Sequence, residues 1–284
     1  MHLQRHINYL GRGLTNLILS FGRKKLSFLF LEWAHLWHPY IEKCPRDEVT
    51  LIQTLLARAE GRIALTGTGV LQCYTGDTVY SVPCGRLSAA SWKTNYKNWL
   101  FAKTLENSKR IFFEYNLSSN KLAGVTYYLC EKLSPVGDSV LPYVLSELEC
   151  EWSSDQFSHM SFTRSYSLLA SYSGLSKQQQ KSFIVNPEPG LTGYMHGDLH
   201  DGNILTTTGG SVALIDLDRF NCCGDQSMDV IHSQICKEEN RIKSSWLEFY
   251  PRILCGGELF EKFSRNTLVA YFLFRLESEV FSDM

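Results

Sequence analysis

His196-Gly197-Asp198-Leu199-His200-Asp201-Gly202-Asn203-Ile204-Leu205, followed by Val212-Ala213-Leu214-Ile215-Asp216-Leu217-Asp218, is the stretch on which the reading of this 284-residue chain turns. It sets a carboxylate at position 198, a carboxamide at 203 and a second carboxylate at 216, with polar loop residues between the first two. Asn203 and Asp216 are hard oxygen donors of the kind Mg2+ prefers. Phosphoryl transfer asks for little covalent help from a protein. It needs a base that positions the attacking hydroxyl and oxygen ligands that hold Mg2+ against the phosphates. Asp198 at one end of the loop suits the first task, and Asn203 with Asp216 the second.

At these residues the chain resembles the aminoglycoside and choline phosphotransferase-like branch of the protein-kinase-like fold, whose catalytic loop reads H-G-D-x-H-x-x-N. The variant Leu214-Ile215-Asp216-Leu217-Asp218-Arg219 is similar to that of small bacterial kinases that phosphorylate sugars of lipopolysaccharide. The resemblance covers roughly residues 120 to 235. It implies an α+β, two-lobed protein-kinase-like fold, with a small antiparallel-sheet lobe and a larger, mainly helical lobe. It puts Asp198 on the family's catalytic base and Asn203 and Asp216 on its two metal ligands. It also implies ATP and Mg2+ as cofactors and transfer of the γ-phosphoryl group to a hydroxyl of a sugar or other small-molecule acceptor, glycans included.

The composition narrows the partners. Lysine plus arginine (28) nearly balance aspartate plus glutamate (29), so no global field points to nucleic acid. Nine cysteines, with no C-x-x-C pair and with Cys222 and Cys223 adjacent, fit reduced thiols in a cytoplasmic protein. Between Leu14 and Trp37, Arg23, Lys24, Lys25 and Glu32 interrupt the apolar run, which argues against a spanning helix and against a signal peptide. Residues 1–48 read as a helical extension ended by Pro39 and Pro45. Its basic cluster beside Phe21, Phe28 and Phe30 offers a peripheral contact with the inner face of a membrane, although packing on the body of the protein is the commoner fate of such a helix.

Residues 49–133 read as the small, nucleotide-binding lobe. A short helix over 47 to 60 leads into three strand-like runs, Ile63-Ala64-Leu65, Val70 to Tyr74 and Thr78 to Val82, joined by turn chemistry at Thr66-Gly67-Thr68-Gly69 and Thr75-Gly76-Asp77. By resemblance, Gly67 and Gly69 form the hairpin over the nucleotide phosphates, where glycine lets backbone N–H groups come close. Two glycines in a hairpin are, on their own, usually just a turn. The runs 111–117 and 124–131 complete five strands, with Ser118-Ser119-Asn120 as the loop between them. By resemblance, Glu131 and Leu133 then fall on the hinge, whose backbone would meet the adenine edge.

One departure from the family stands out. The third strand there carries a lysine that holds the phosphates and pairs with a glutamate on the next helix. Here the strand offers Ser81, and the helix, read over 88 to 105, offers Asn95 and Asn98. Lys93 or Lys97 has the reach to substitute, but solvated helix lysines are the simpler reading.

Residues 134–284 read as the large catalytic lobe, with a helical pattern from Leu141 to about Tyr172, a polar proline-bearing approach at 178 to 190, and closing helices after 238. Asp229, by resemblance, braces the catalytic loop; the alternative is a plain N-cap. His196 and His200 are four apart, yet Gly197 and Gly202 argue for a loop rather than the helix a zinc pair requires. Asp216 and Asp218 would point the same way if the strand continued through them. Two functions compete: an active phosphotransferase, favoured by Asp198, Asn203 and Asp216, and a catalytically weak or inactive nucleotide-binding scaffold, favoured by Ser81 and Asn95.

Overall fold

The computed structural model describes Thr54 and residues 63–66, 69–106, 110–122, 124–136, 140–148, 192–242, 263 and 265–276. The expected N-terminal extension, Gly67 and the approach to the catalytic loop lie outside these residues. The architecture is α+β. The chain divides into two compact units, one of Met1–Ser134 with Leu205–Leu214, the other of Pro135–Ile204 with Ile215–Met284.

The first unit is built on a five-stranded antiparallel sheet. Its strands are β1 (Ile63–Leu65), β2 (Val70–Thr75), β3 (Thr78–Pro83), β4 (Leu117–Leu122) and β5 (Val125–Glu131), in the spatial order β1-β2-β3-β5-β4. Gly76 and Asp77 turn β2 into β3, and the pairing runs from Val70 opposite Pro83 to Thr75 opposite Thr78. Val70, Leu71, Cys73 and Val82 are buried. Helix α1 (Arg86–Ala102) presents Ser88, Asn95, Trp99 and Ala102 to the core at helical spacing.

Among the described residues, the packing around Ser81 is aromatic. Ser81 is buried and lies opposite Tyr128 of β5. Tyr128 stacks on Trp92 with ring centroids 4.8 Å apart, Tyr96 stacks on Trp99 at 5.7 Å, and the Trp99 indole N–H donates to the Phe113 carbonyl at 3.0 Å. Lys93 and Lys97 are exposed on α1.

The strand expected over 111–117 is not one. Ile111–Phe113 is a single 3-10 turn, and β4 instead uses Leu117–Leu122, taking in the expected Ser118-Ser119-Asn120 loop. The physical reason is the pair Phe112-Phe113, both fully buried. Successive strand residues face opposite sides, so a half-solvated edge strand would put one of the two rings into water. The polar Ser118, Ser119 and Lys121 suit that edge.

A smaller sheet orders β6 (Ser134–Pro135), β8 (Ile204–Thr206) and β9 (Val212–Leu214). The second unit holds α2 (Leu141–Leu148), the antiparallel pair β7 (Thr192–Met195) and β10 (Asn221–Asp225), and helices α3 (Ser227–Ile242) and α4 (Arg265–Leu276). Its core joins Val144 and Leu148 of α2 with Met195, Leu199, Ile231, Ile235, Tyr271 and Phe272. Gln226 anchors α2 by donating from Nε2 to the Leu145 carbonyl at 2.7 Å. Among the described residues no helix is long and apolar enough to cross a membrane.

Candidate active site

The loop after β7 carries the motif, and helix α3 holds it in place. Asp229, in the first turn of α3, is fully buried; its Oδ2 accepts from the His196 amide at 2.6 Å and its Oδ1 from the Gly197 amide at 2.8 Å. This is the brace expected of it. Burial pushes its carboxyl up to about 7, against the pull of the amide donors of His196, Gly197 and Leu199. Gly197 has φ +83, and a Cβ there would stand 2.7 Å from the Arg219 Cβ and 2.8 Å from the Arg219 carbonyl oxygen. Only glycine permits both the left-handed turn and this close approach.

His196 locks the loop to the chain after β9. Its Nδ1 accepts from the Asp198 amide at 3.3 Å, so Nε2 carries the hydrogen and donates to the Ile215 carbonyl at 2.8 Å. His200 caps the short 3-10 turn Asp201–Asn203 by accepting from the Gly202 amide at 3.0 Å. The His196 ring is thus tied to Ile215 and the His200 ring to its own turn. Among the described residues no group of three His, Cys, Asp or Glu side chains stands where it could hold a metal ion.

Asp198, Asn203 and Asp216 converge. Asn203 is buried, and its Nδ2 donates to the Asp198 carbonyl at 2.8 Å, which leaves its Oδ1 as the acceptor end. Its carbonyl accepts from the Ile215 amide at 3.1 Å, tying the segment before Asp216 to the loop that carries Asp198. The expected strand through Asp216 and Asp218 stops early: β9 ends at Leu214 and Leu217–Arg219 forms a 3-10 turn. Asp216 between them has φ 65 and ψ 53, the one positive φ outside glycine among the described residues. The fully buried Leu217 must turn inward, and aspartate tolerates the left-handed region better than most residues.

The surrounding protein, then the carboxylates of Asp218 and Asp198, push the Asp216 carboxyl up to about 7, with Arg219 opposing. Its surface is nonetheless open to solvent.

Asp198 is the most heavily engaged side chain of the site. Its Oδ1 meets Arg275 Nη1 of α4 at 2.8 Å, His232 Nε2 of α3 at 2.9 Å and Arg219 Nη1 at 3.7 Å. Burial alone would raise its carboxyl. The His232 hydrogen bond and the Arg275 and Arg219 charges outweigh burial and hold it well below the usual carboxylate range. His232 and Arg275 went unnoticed in the sequence. His232 lies three residues past Asp229, on the same face of one helix, which is a readable signal. Arg275 is distant in sequence and unmarked by any motif.

His196 and His232 are buried, and burial is the main reason both are lowered to about 4, against the opposing pull of Asp198 on each. Two of the eight histidines are therefore expected to stay neutral at pH 5. A histidine-selective NMR titration checks this, with variants at 196 and 232 assigning the signals. Midpoints near 6.5 for both would refute it.

The other residues singled out belong to the first unit. Gly69 closes the β1–β2 hairpin with φ 76, and its amide donates to the Thr66 carbonyl at 3.2 Å, so that donor is used by the turn itself. Glu131 ends β5; its Oε1 accepts from the Asn116 amide at 2.7 Å and its own amide donates to the Asn116 carbonyl at 3.0 Å. Leu133 follows as a half-buried residue between β5 and β6. Cys73, Cys84, Cys130 and Cys236 form no disulfide among the described residues, and burial raises the Cys73 and Cys130 thiols to about 12.

No family model and no curated protein matches this chain. Solved structures do. Aminoglycoside phosphotransferase APH(2'')-Ib with ADP bound is 14% identical, with a TM-score of 0.45 over 82% of this chain and 98% of that one. The streptomycin-ATP-APH(2")-IIa ternary complex is 18% identical, with a TM-score of 0.42 over 69% of this chain and 78% of that one. A choline/ethanolamine kinase family protein from Mesorhizobium loti is 13% identical, with a TM-score of 0.42 over 79% and 78% respectively.

Proposed function

We propose that this chain is an ATP- and Mg2+-dependent phosphotransferase that moves the γ-phosphoryl group to a hydroxyl of a small-molecule acceptor, sugars and glycans among them. Asp198 is the base that orients the acceptor hydroxyl, and Asn203 and Asp216 hold the metal. Residues 49–133 serve as the nucleotide lobe, with Gly67 and Gly69 over the phosphates and the Glu131 and Leu133 backbone at the adenine edge. Residues 134–284 serve as the catalytic lobe.

The observation that carries this reading is the Asn203 hub. The Asn203 side chain donates to the Asp198 carbonyl while the main-chain carbonyl of Asn203 accepts the amide of Ile215, next to Asp216. A base and two oxygen ligands are joined by two hydrogen bonds. The donor set fits Mg2+. The Asn203 oxygen is turned away from the Asp198 carbonyl, Asp216 is open to solvent, and the crowding of Asp216 by Asp218 and Asp198 is the kind of charge excess a divalent cation relieves. Mg2+ keeps several waters and phosphate oxygens, so two protein ligands suffice. When bound, it would neutralise charge developing on the transferred group.

The aromatic surroundings of buried Ser81 favour a second reading, a nucleotide-binding scaffold without turnover. Incubating the protein with Mg2+ and γ-labelled ATP against glycans, aminoglycosides and choline separates the two. Label transferred to any acceptor supports the first. Calorimetric binding of Mg-ATP with no transfer supports the second, and absence of nucleotide binding removes both.

A further inference from the structure

His232 does not sit idle behind the base. Its Nε2 is 2.9 Å from Asp198 Oδ1 and its Nδ1 is 2.8 Å from the hydroxyl of Tyr271, which is fully buried on α4. A neutral imidazole carries a single N–H, and a carboxylate can only accept. Nε2 therefore bears the hydrogen and donates to Asp198, and Nδ1 is left to accept the Tyr271 O–H. The burial of the ring and the neighbouring Arg275 charge both favour this neutral form. Cys236, one turn further along α3, places its Sγ 3.3 Å from the same Nε2, a weaker partner on the flank of the bond to Asp198. The bonds thus run in one direction, from Tyr271 through His232 to Asp198.

Among the described residues, every contact that Asp198 makes with a charged or imidazole partner falls on Oδ1. Its side chain is still 25% exposed. Oδ1 is held from three sides, and no such partner meets the other carboxylate oxygen among the described residues.

We propose that His232 and Tyr271 are positioning residues for phosphoryl transfer. The Tyr271 hydroxyl fixes the His232 tautomer, whose Nε2–H pins Oδ1 of Asp198 and so presents Oδ2 alone to the acceptor. This role rests on the phosphotransferase reading. It predicts a fault in orientation, not in binding, when the chain of bonds is cut.

The test combines turnover with a direct view of the tautomer. Tyr271→Phe removes one oxygen and keeps the ring, so it is the mildest cut. His232→Gln keeps an N–H donor for Asp198, and His232→Leu keeps none. The expected order of kcat is wild type, then His232→Gln, then His232→Leu. Tyr271→Phe is expected to fall about tenfold, the effect of a misplaced base, with KM for ATP and acceptor unchanged in all three variants. Long-range nitrogen–proton NMR on nitrogen-labelled protein should show, for the signal lost in both His232 variants, a neutral ring protonated at Nε2, which becomes a tautomer mixture in Tyr271→Phe. An Nδ1-protonated or doubly protonated ring at pH 7 overturns the proposal whatever the turnover. Equal kcat in His232→Gln and His232→Leu, or a change confined to KM, overturns it as well. A wild-type chain that transfers no phosphate overturns the phosphotransferase reading together with this role. An active wild type with the wrong tautomer overturns only the role.

Discussion

Asp198→Asn is expected to cost about 10²- to 10⁴-fold in phosphoryl transfer, the range for loss of a positioned base, and to destabilise the fold at the same time. The second effect follows from the company Asp198 keeps. Arg275 is buried and its Nη1 lies 2.8 Å from the carboxylate, with Arg219 behind it. Replacing the carboxylate with a neutral amide removes the charge that Asp198 sets against this buried guanidinium, and breaking a buried pair on one side costs about 3–5 kcal/mol in comparable cases. The pH dependence has a definite sign. The folded carboxyl sits below the usual range, while the unfolded one titrates near its ordinary value of about 4. The stabilisation is complete above that value and drains away as pH falls toward the folded one. The gap in melting temperature between wild type and Asp198→Asn is therefore widest near neutrality and narrows below about pH 4. Thermal melts across pH, run beside the activity assay, check both halves. A variant as stable as wild type at pH 7 would mean that the arginines find other partners, and unchanged turnover would remove Asp198 from catalysis.

Asp229→Ala carries the second large effect. Among the amides that Asp229 satisfies are those of His196 and Gly197, both buried. Alanine strands both donors, and each buried unpaired group costs about 1–3 kcal/mol. Relief of the buried charge offsets part of this, so a net loss of about 2–4 kcal/mol is expected from denaturant unfolding at pH 8. Asp229→Asn, which retains one acceptor, should fall between alanine and wild type. Turnover should drop as well, because Gly197 at φ +83 is where the loop bends before Asp198. If alanine proves as stable as wild type, the brace is not what holds the loop.

The sequence was legible where chemistry demands fixed residue types. The loop from His196 to Asn203, the Asp229 brace and the turns between β1, β2 and β3 follow from side-chain hydrogen bonding and glycine geometry, which are local. The strand placed over Ile111 to Leu117 failed because a run of aromatic residues is β-like in composition, while only the core shows that Phe112 and Phe113 are both inside. The left-handed Asp216 was hidden for a similar reason: it follows from the burial of Leu217, a tertiary constraint on a sequence that reads as strand. Arg275 lies 77 positions from Asp198, and no spacing rule reaches that far.

The aromatic packing around Ser81 bears on how firmly helix α1 is held. In protein kinases the lysine–glutamate pair is a latch, because activation positions the helix that carries the glutamate. An ion pair can exchange one partner for water at little net cost. Stacked rings cannot: parting Trp92 from Tyr128 would put apolar faces into water, at about 25 cal/mol for each Å² uncovered. Helix α1 is thus held to the sheet by stacked faces, and lifting it away uncovers apolar surface.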